Sequence, residues 1–425
     1  MAMPRNPSSA QGVDAERTTP ESGVYPPAFL EYAWYVNLIY MFLGQAWGIV
    51  IPWVGGVIWV VVAAGCFLSV HAQALRVYKP VALALGTGIL MIAIQLLFHG
   101  ESGITWQKCI DFLAWIAMLI TAQALSLRPR FLQRFALVAF GIGLASVPFI
   151  QTRSAGTAVR AWALGTGIGN PNALGMWFGF CTVYFIFVGL HSKKPMFRAV
   201  YWIVAVGSLY MVLLSVSRAP LLGIILGCIV GLRPILKRAF APLFSLVLLI
   251  CLVHLSGVFA DEFESYFVRG AEETGREVLW SVGMERFLDA PWIGYGLGDI
   301  RVMRNGRLMN PHNGLLYIAL GAGILPLVCF IGYLAQAGIG ALRIMWIVNE
   351  GESALLPPLV VFALIEIMVL DHAFLSPWAV VILGMAAGAD KAYARKSSFL
   401  GQQVTGKQYG GASRTETESS ITGRT

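Results

Sequence analysis

Residues 199–232 read AVYWIVAVGSLYMVLLSVSRAPLLGIILGCIVGL. Two apolar runs, 199–215 and 219–232, flank one charged residue, Arg218. A helix needs about 20 apolar residues to cross a hydrocarbon core. Hydrocarbon offers no partner for a free backbone N–H or C=O, so such runs cross only as helices that satisfy their own backbones. An arginine at the junction of two spans is expensive to bury; it either snorkels to the headgroups or serves a polar pocket. The short second run and Pro220 favour the pocket, with the chain re-entering the membrane around water.

The rest of the chain repeats this pattern. It is 57% apolar and only 12% charged over 425 residues, with a mean hydropathy of +0.70. A soluble domain carries about twice that charged fraction. Apolar segments lie at 33–50, 53–70, 81–98, 108–126, 135–151, 173–190, 199–215, 219–232, 241–259, 324–345, 355–370 and 373–389. No strand pattern and no internal repeat is evident. The expected fold class is therefore all-α, a polytopic integral membrane protein of about 12 transmembrane helices.

Basic residues orient the bundle. With a cytoplasmic N-terminus, the inner loops hold Arg76 and Lys79, then Arg128, Arg130 and Arg134, then Lys193, Lys194 and Arg198, then Arg233, Lys237 and Arg238, then Arg343. That bias places both termini inside. Residues 1–28 are polar and proline-bearing, without the apolar core of a cleavable signal. They are expected to be a disordered cytoplasmic lead to a transmembrane domain over 29–390. Residues 391–425 are expected to form a disordered cytoplasmic tail. The net charge of +8 is spread over short loops, which excludes nucleic acid as a partner. The six cysteines sit in apolar runs without metal-ligand spacing and read as packing residues.

Nine arginines break the inner bias: Arg153, Arg160, Arg218, Arg269, Arg276, Arg286, Arg301, Arg304 and Arg307 fall in segments assigned to the outer face. No lysine accompanies them. A guanidinium is a rigid, permanently charged fork matched to phosphate or carboxylate, whereas lysine is a flexible point charge. Most of these arginines belong to the longest segment between spans, 260–323. Within it, 272–288 favours an interfacial helix, Pro291 to Gly296 a turn with aromatic anchors, and Gly314 to Leu320 a short helix. Gly321, Gly323 and Pro326 are expected to break or kink the chain before the tenth span.

His312 is the candidate base. Its ordinary pKa lies nearest neutrality among side chains, and it opens a helix directly after the arginine-bearing loop. Its blander role is a polar helix start with Asn313 as cap. His372, beside Asp371 at the outer end of a span, is the nearest rival. Arg218 and Arg276 are candidates for gripping an anion. Arg276 stands four residues before Trp280, and Arg269 follows Tyr266-Phe267. Arg160 precedes the structured turn Gly169-Asn170-Pro171-Asn172. Acidic neighbours at 262, 264, 272, 273 and 277 offer salt bridges as the plainer explanation for some arginines. Arg153, Arg286, Arg301, Arg304 and Arg307 read as headgroup or flanking charges. No paired carboxylates of the kind that hold a divalent cation at a diphosphate are present, so no metal and no cofactor is expected.

His312-Asn313, nine residues, then Gly323, resembles the signature of the O-antigen ligase and polymerase superfamily of bacterial envelope glycosyltransferases. Pro326 departs from that pattern. Arg218 in a Ser-x-Ser-Arg context, Arg276 with Trp280, the Gly294-Tyr295-Gly296 turn and Asn170-Pro171-Asn172 also resemble it. The likeness covers about residues 30–390. It implies a GT-C-like helical fold in the bacterial inner membrane with a periplasmic active site. It implies transfer, without a metal, of O-antigen polysaccharide from undecaprenyl diphosphate to a sugar hydroxyl of lipid A–core. His312 would take the hydroxyl proton, worth about 10²–10⁴-fold. Arg218 and Arg276 would meet the diphosphate, with Arg160, Arg269, Asn313 and Asp371 binding substrate. An O-antigen polymerase or protein O-oligosaccharyltransferase would use the same donor. An anionic-lipid transporter or flippase is the alternative of another class.

Overall fold

The computed structural model describes residues 25–49, 52–100, 103–155, 158–232, 276–304, 307–347 and 351–389. The protein is mostly helical. Helices α1 (Ala28–Leu43), α2 (Pro52–Ser69), α3 (Ala74–Tyr78), α4 (Ala82–Phe98), α5 (Gly103–Leu125) and α6 (Phe131–Ser146) form the first half. Then come α7 (Pro171–His191), α8 (Pro195–Ser215) and α9 (Arg218–Leu232). After a stretch outside the described residues follow α10 (Arg276–Asp289), α11 (Gly314–Ala322), α12 (Ile324–Ile347), α13 (Leu356–Val369) and α14 (Pro377–Ala389). Among the described residues, six helices are long and apolar enough to cross a membrane, and five more are apolar but shorter. Each expected apolar segment coincides with one of these, apart from 241–259, which lies outside the described residues. The expected terminal tails lie outside them almost entirely.

The long apolar helix α7 is buried along nearly its whole length. Its Trp, Phe and Gly residues leave it apolar on every side, as suits a central helix. Asn170 caps it, its side chain accepting from the Ala173 N–H at 2.8 Å, and Pro171 occupies the first turn, where no N–H is needed. Helix α13 packs antiparallel on α9 through small residues. A Cβ at Gly227 would lie 2.8 Å from the Pro358 carbonyl oxygen, and one at Gly223 2.8 Å from the Phe362 ring. Extended by one turn, this register sets Glu366 level with Ala219.

The expected helical class holds for most of the described residues, with two short exceptions. Two antiparallel hairpins are present: β1 (Ile150–Ala155) with β2 (Ala158–Ala163), and β3 (Val302–Arg304) with β4 (Arg307–Met309). The first pairs Arg153 with Arg160. The fifth apolar segment, expected to run to 151, leaves helix at Ser146 and passes through a tight turn at Val147–Phe149 into β1. Polar residues from Gln151 to Ser154 end the apolar run, and the strands are too short for alternation to stand out.

The end of the bundle opposite the hairpins is closed by one buried carboxylate. Glu31 accepts from Arg134 at 2.6 Å and from Tyr35 at 2.7 Å, and pairs with Arg128 at 2.7 Å. This fastens α1 to the α5–α6 connection.

The nine-residue spacing in the His-Asn…Gly pattern has a structural origin. Asn313 caps α11, accepting from the N–H groups of Leu315 (2.9 Å) and Leu316 (3.1 Å). Gly323 ends it with φ +82°, so α11 holds nine residues. The turn at 291–296 docks on that ending: Ile324 N–H donates to the Pro291 carbonyl at 2.8 Å, and Tyr295 N–H to that of Leu320 at 2.7 Å. A Cβ on Gly323 would lie 2.2 Å from the Trp292 carbonyl oxygen. Pro326 falls in the first turn of α12, where proline is tolerated. Gly323→Ala is therefore expected to lower the melting temperature of the detergent-solubilised protein, with a stability loss of about 2 kcal/mol or more. An unchanged melting curve would refute this account of the spacing.

Candidate functional site

Asp371 follows α13 and is buried, at 4% exposure. Its carboxylate gathers the loop before α11. The Asn313 N–H donates to it at 2.8 Å, and the His312 N–H and the Asn310 side chain bond to it as well. Burial raises its pKa to about 6, against the opposing pull of those hydrogen bonds and of the Arg276 charge. The Asn313 amide donates to the Met368 carbonyl at 3.1 Å, tying the loop to α13 a second time. From the other side, the Trp280 indole of α10 donates to the Pro311 carbonyl at 3.0 Å.

These ties hold His312 at φ +49°, a left-handed conformation that a residue with a Cβ adopts at a cost of about 1–2 kcal/mol. Such strain persists only where the surroundings over-determine it. The imidazole Nδ1 lies 3.7 Å from Asp371 Oδ2, beyond hydrogen-bond reach. Asp371 thus positions His312 through its backbone rather than by gripping the ring. The side chain is 34% exposed. Burial lowers its pKa, and the Arg276 charge lowers it further. The ring is accordingly neutral at pH 7 and able to take a proton.

Arg276 begins α10, one turn from Trp280, and its charge acts on His312, Asp371 and Glu366 together. Arg218 begins α9 and is half-buried. It follows a second strained residue, Val216, at φ +48°. Ser217 donates to Asn172 Oδ1 at 3.2 Å, which fastens this junction to the start of α7.

The other expected residues divide. Arg160 is 8% exposed and donates to the Ser215 carbonyl (2.9 Å) and to Asn172 Oδ1 (2.9 Å). It therefore braces the Val216 turn that presents Arg218. Asn313 spends its side chain on the cap and on Met368. Arg269 lies outside the described residues. Arg286 bonds Asp299 at 2.6 Å and the Arg301 carbonyl, and lies over the Tyr295 ring at 4.2 Å. It supports the hairpin and docking turn. Arg153 is exposed on β1, bonded to Gln151.

Sequence reasoning missed Glu366. It is fully buried, and none of the described residues bonds its carboxyl oxygens. A lone acidic residue inside an apolar helix was itself a signal. It also missed Lys108, Asp111 and Tyr317, which approach the loop from α5 and α11. Among the described residues, no group of three or more His, Cys, Asp and Glu is placed to hold a metal ion.

A neutral base held beside a guanidinium is suited to removing a proton from a hydroxyl while an anion departs. Against this geometry the comparisons take their place. Residues 203–331 match the O-antigen ligase family. The matched segment contains Arg218, Arg276, His312 and Gly323 but ends before Asp371. A protein of Rickettsia conorii that carries the name of a polysaccharide ligase is 27% identical over 146 residues. That alignment covers 29% of this chain and 35% of the relative, so the chain matches about a third of the relative's length.

The electrostatics set a sign that can be measured. With its proton affinity lowered, His312 should titrate below pH 6.5 in histidine-selective NMR, its resonance assigned by its loss in His312→Asn. Arg276→Gln removes one cause of the lowering and should move the titration back toward 6.5. A wild-type midpoint at or above 6.5 would contradict the assigned environment.

Proposed function

We propose that this chain is an O-antigen ligase. It transfers polysaccharide from an undecaprenyl diphosphate carrier to a sugar hydroxyl of lipid A–core. The carrying observation is His312: a neutral, partly exposed imidazole held in a strained backbone conformation within reach of the Arg276 charge. The match of residues 203–331 to the O-antigen ligase family supports a ligase- or polymerase-type transfer. The lipid A–core acceptor and the undecaprenyl carrier are our assignment.

The chemistry follows from the residues. The acceptor hydroxyl gives its proton to His312 Nε2 as its oxygen attacks the anomeric carbon. The bond from that carbon to the diphosphate oxygen breaks, and its electron pair leaves with the diphosphate. Arg218 and Arg276 meet the developing charge with fixed guanidinium donors, which suits the leaving group best when water is excluded. Attack from the face opposite the diphosphate inverts the anomeric carbon. The carrier's lipid tail lies between helices, beside the apolar bundle. A GT-C-like architecture, a periplasmic site and cytoplasmic termini belong to this reading, and no metal takes part.

The test is transfer by the purified full chain from undecaprenyl-diphosphate polysaccharide to lipid A–core. His312→Ala should cut the rate by about 10²-fold or more while donor binding persists. Arg218→Lys should recover little of the activity lost in Arg218→Ala, because a point charge does not replace the two-pronged donor. EDTA should leave the rate unchanged. Full turnover by His312→Ala, or dependence on added Mg²⁺, would overturn the mechanism. On topology, a cysteine at Gly298 should be labelled from outside intact spheroplasts; labelling only after permeabilisation would place the site on the wrong face.

A further inference from the structure

Helix α5 brings a second polar group to the His312 loop. Its residues Phe112 and Trp115 pack on the turn that follows Asp371: the Trp115 indole donates to the Phe374 carbonyl at 3.1 Å, and both rings contact the Phe374 ring. Lys108 and Asp111 lie on the same face of α5, about one helical turn nearer its start. They pair at 3.4 Å, and Gln107 donates to the same carboxylate at 3.3 Å. Both side chains are partly exposed, at 30% and 37%. The charges of Lys108 and Asp111 act on His372, as does His312. The His372 ring stands edge-on to Tyr317, with centroids 4.7 Å apart. Tyr317 is fully buried, and none of the described residues bonds its hydroxyl, which lies within the electrostatic reach of both Asp111 and Asp371.

We propose that Asp111, Lys108 and His372, backed by Tyr317, form the acceptor subsite, binding a hydroxyl-bearing sugar ring. The inference rests on the transfer reaction proposed above. Arg276 is the charge that acts on His312, whereas Lys108 and Asp111 act on His372. An inverting displacement needs the nucleophile on the side away from the leaving diphosphate, with its proton directed at His312. A mixed group associated with His372 rather than with Arg276 suits the acceptor. Its chemistry suits neighbouring hydroxyls rather than an anion. A carboxylate has about four acceptor positions, and among the described residues those of Asp111 meet two long contacts, from Gln107 and Lys108. Lys108 supplies donors, and a Lys–Asp pair carries no net charge with which to hold a second diphosphate.

The experiment uses the full chain in detergent, with lipid A–core bearing no O-polysaccharide as one probe and undecaprenyl-diphosphate polysaccharide as the other. Binding of each is measured by thermal shift, and transfer by initial rates. Asp111→Asn keeps the size of the side chain and removes its charge; Lys108→Met removes the donor. Each should raise the acceptor KM about tenfold, the equivalent of one or two lost hydrogen bonds, with donor KM and donor-induced thermal shift unchanged. His372→Gln, which retains a hydrogen-bonding side chain, should give a smaller rise than His372→Ala. An acceptor KM within twofold of the unsubstituted value in both Asp111→Asn and Lys108→Met overturns the subsite, as does an equal rise in donor KM. Donor binding without any acceptor binding by the unsubstituted chain also overturns it. Loss of both bindings there would instead bring down the transfer reaction itself.

Discussion

The site depends on a carboxylate that has been taken out of water. Asp371 is buried at the end of an apolar helix, where an unsatisfied charge would cost several kcal/mol. Its compensation is local: N–H groups of the preceding loop, an asparagine side chain and a nearby guanidinium. Satisfying Asp371 and shaping the His312 loop are thus one event. The strained φ of His312 follows, because the backbone must turn its N–H inward while Asn313 caps α11. The histidine is placed by the needs of a buried acid, and its ring remains free of it.

The same logic explains where the arginines stand. Arg218 begins its helix rather than occupying the middle. A guanidinium in mid-span would need a permanent partner, whereas one at a helix start can reach water and an anionic ligand. Val216 takes on left-handed strain to bring Arg218 to that position, and Arg160, buried and doubly bonded, braces the turn. One arginine of the outer set has become structural so that another can stay available. Arg286 plays a comparable part beneath the docking turn.

Much of this was legible in the sequence, and for identifiable reasons. Apolar runs bounded by charge reveal helices because hydrocarbon penalises any other backbone, so the segments at 171–191, 195–215 and 324–347 were readable from composition alone. His312 was readable because a histidine next to a helix-capping asparagine and a distant glycine is an uncommon arrangement, and α11 shows why the spacing is nine. What the sequence hid were matters of three-dimensional approach. The hairpin at 150–163 lacks a long alternating run, so its strands were invisible. Arg160 looked like a ligand because charge in sequence does not disclose a bond to Ser215 and Asn172. Lys108 and Asp111 fall at the start of the expected span 108–126, and nothing in α5 announces that Phe374 will dock about one turn away.

Glu366 shows how far these constraints extend. It is fully buried, and none of the described residues bonds its oxygens. The Arg276 charge acts on it, as it acts on His312 and Asp371. A buried acid without a bonded partner is unfavourable in an apolar helix, and a nearby cation reduces that cost. The same guanidinium lowers the proton affinity of His312 and favours the ionised form of Asp371. One cation thus acts on three titratable groups around the His312 loop. Glu366 is therefore better understood as part of the Arg276 environment than as an isolated defect in α13.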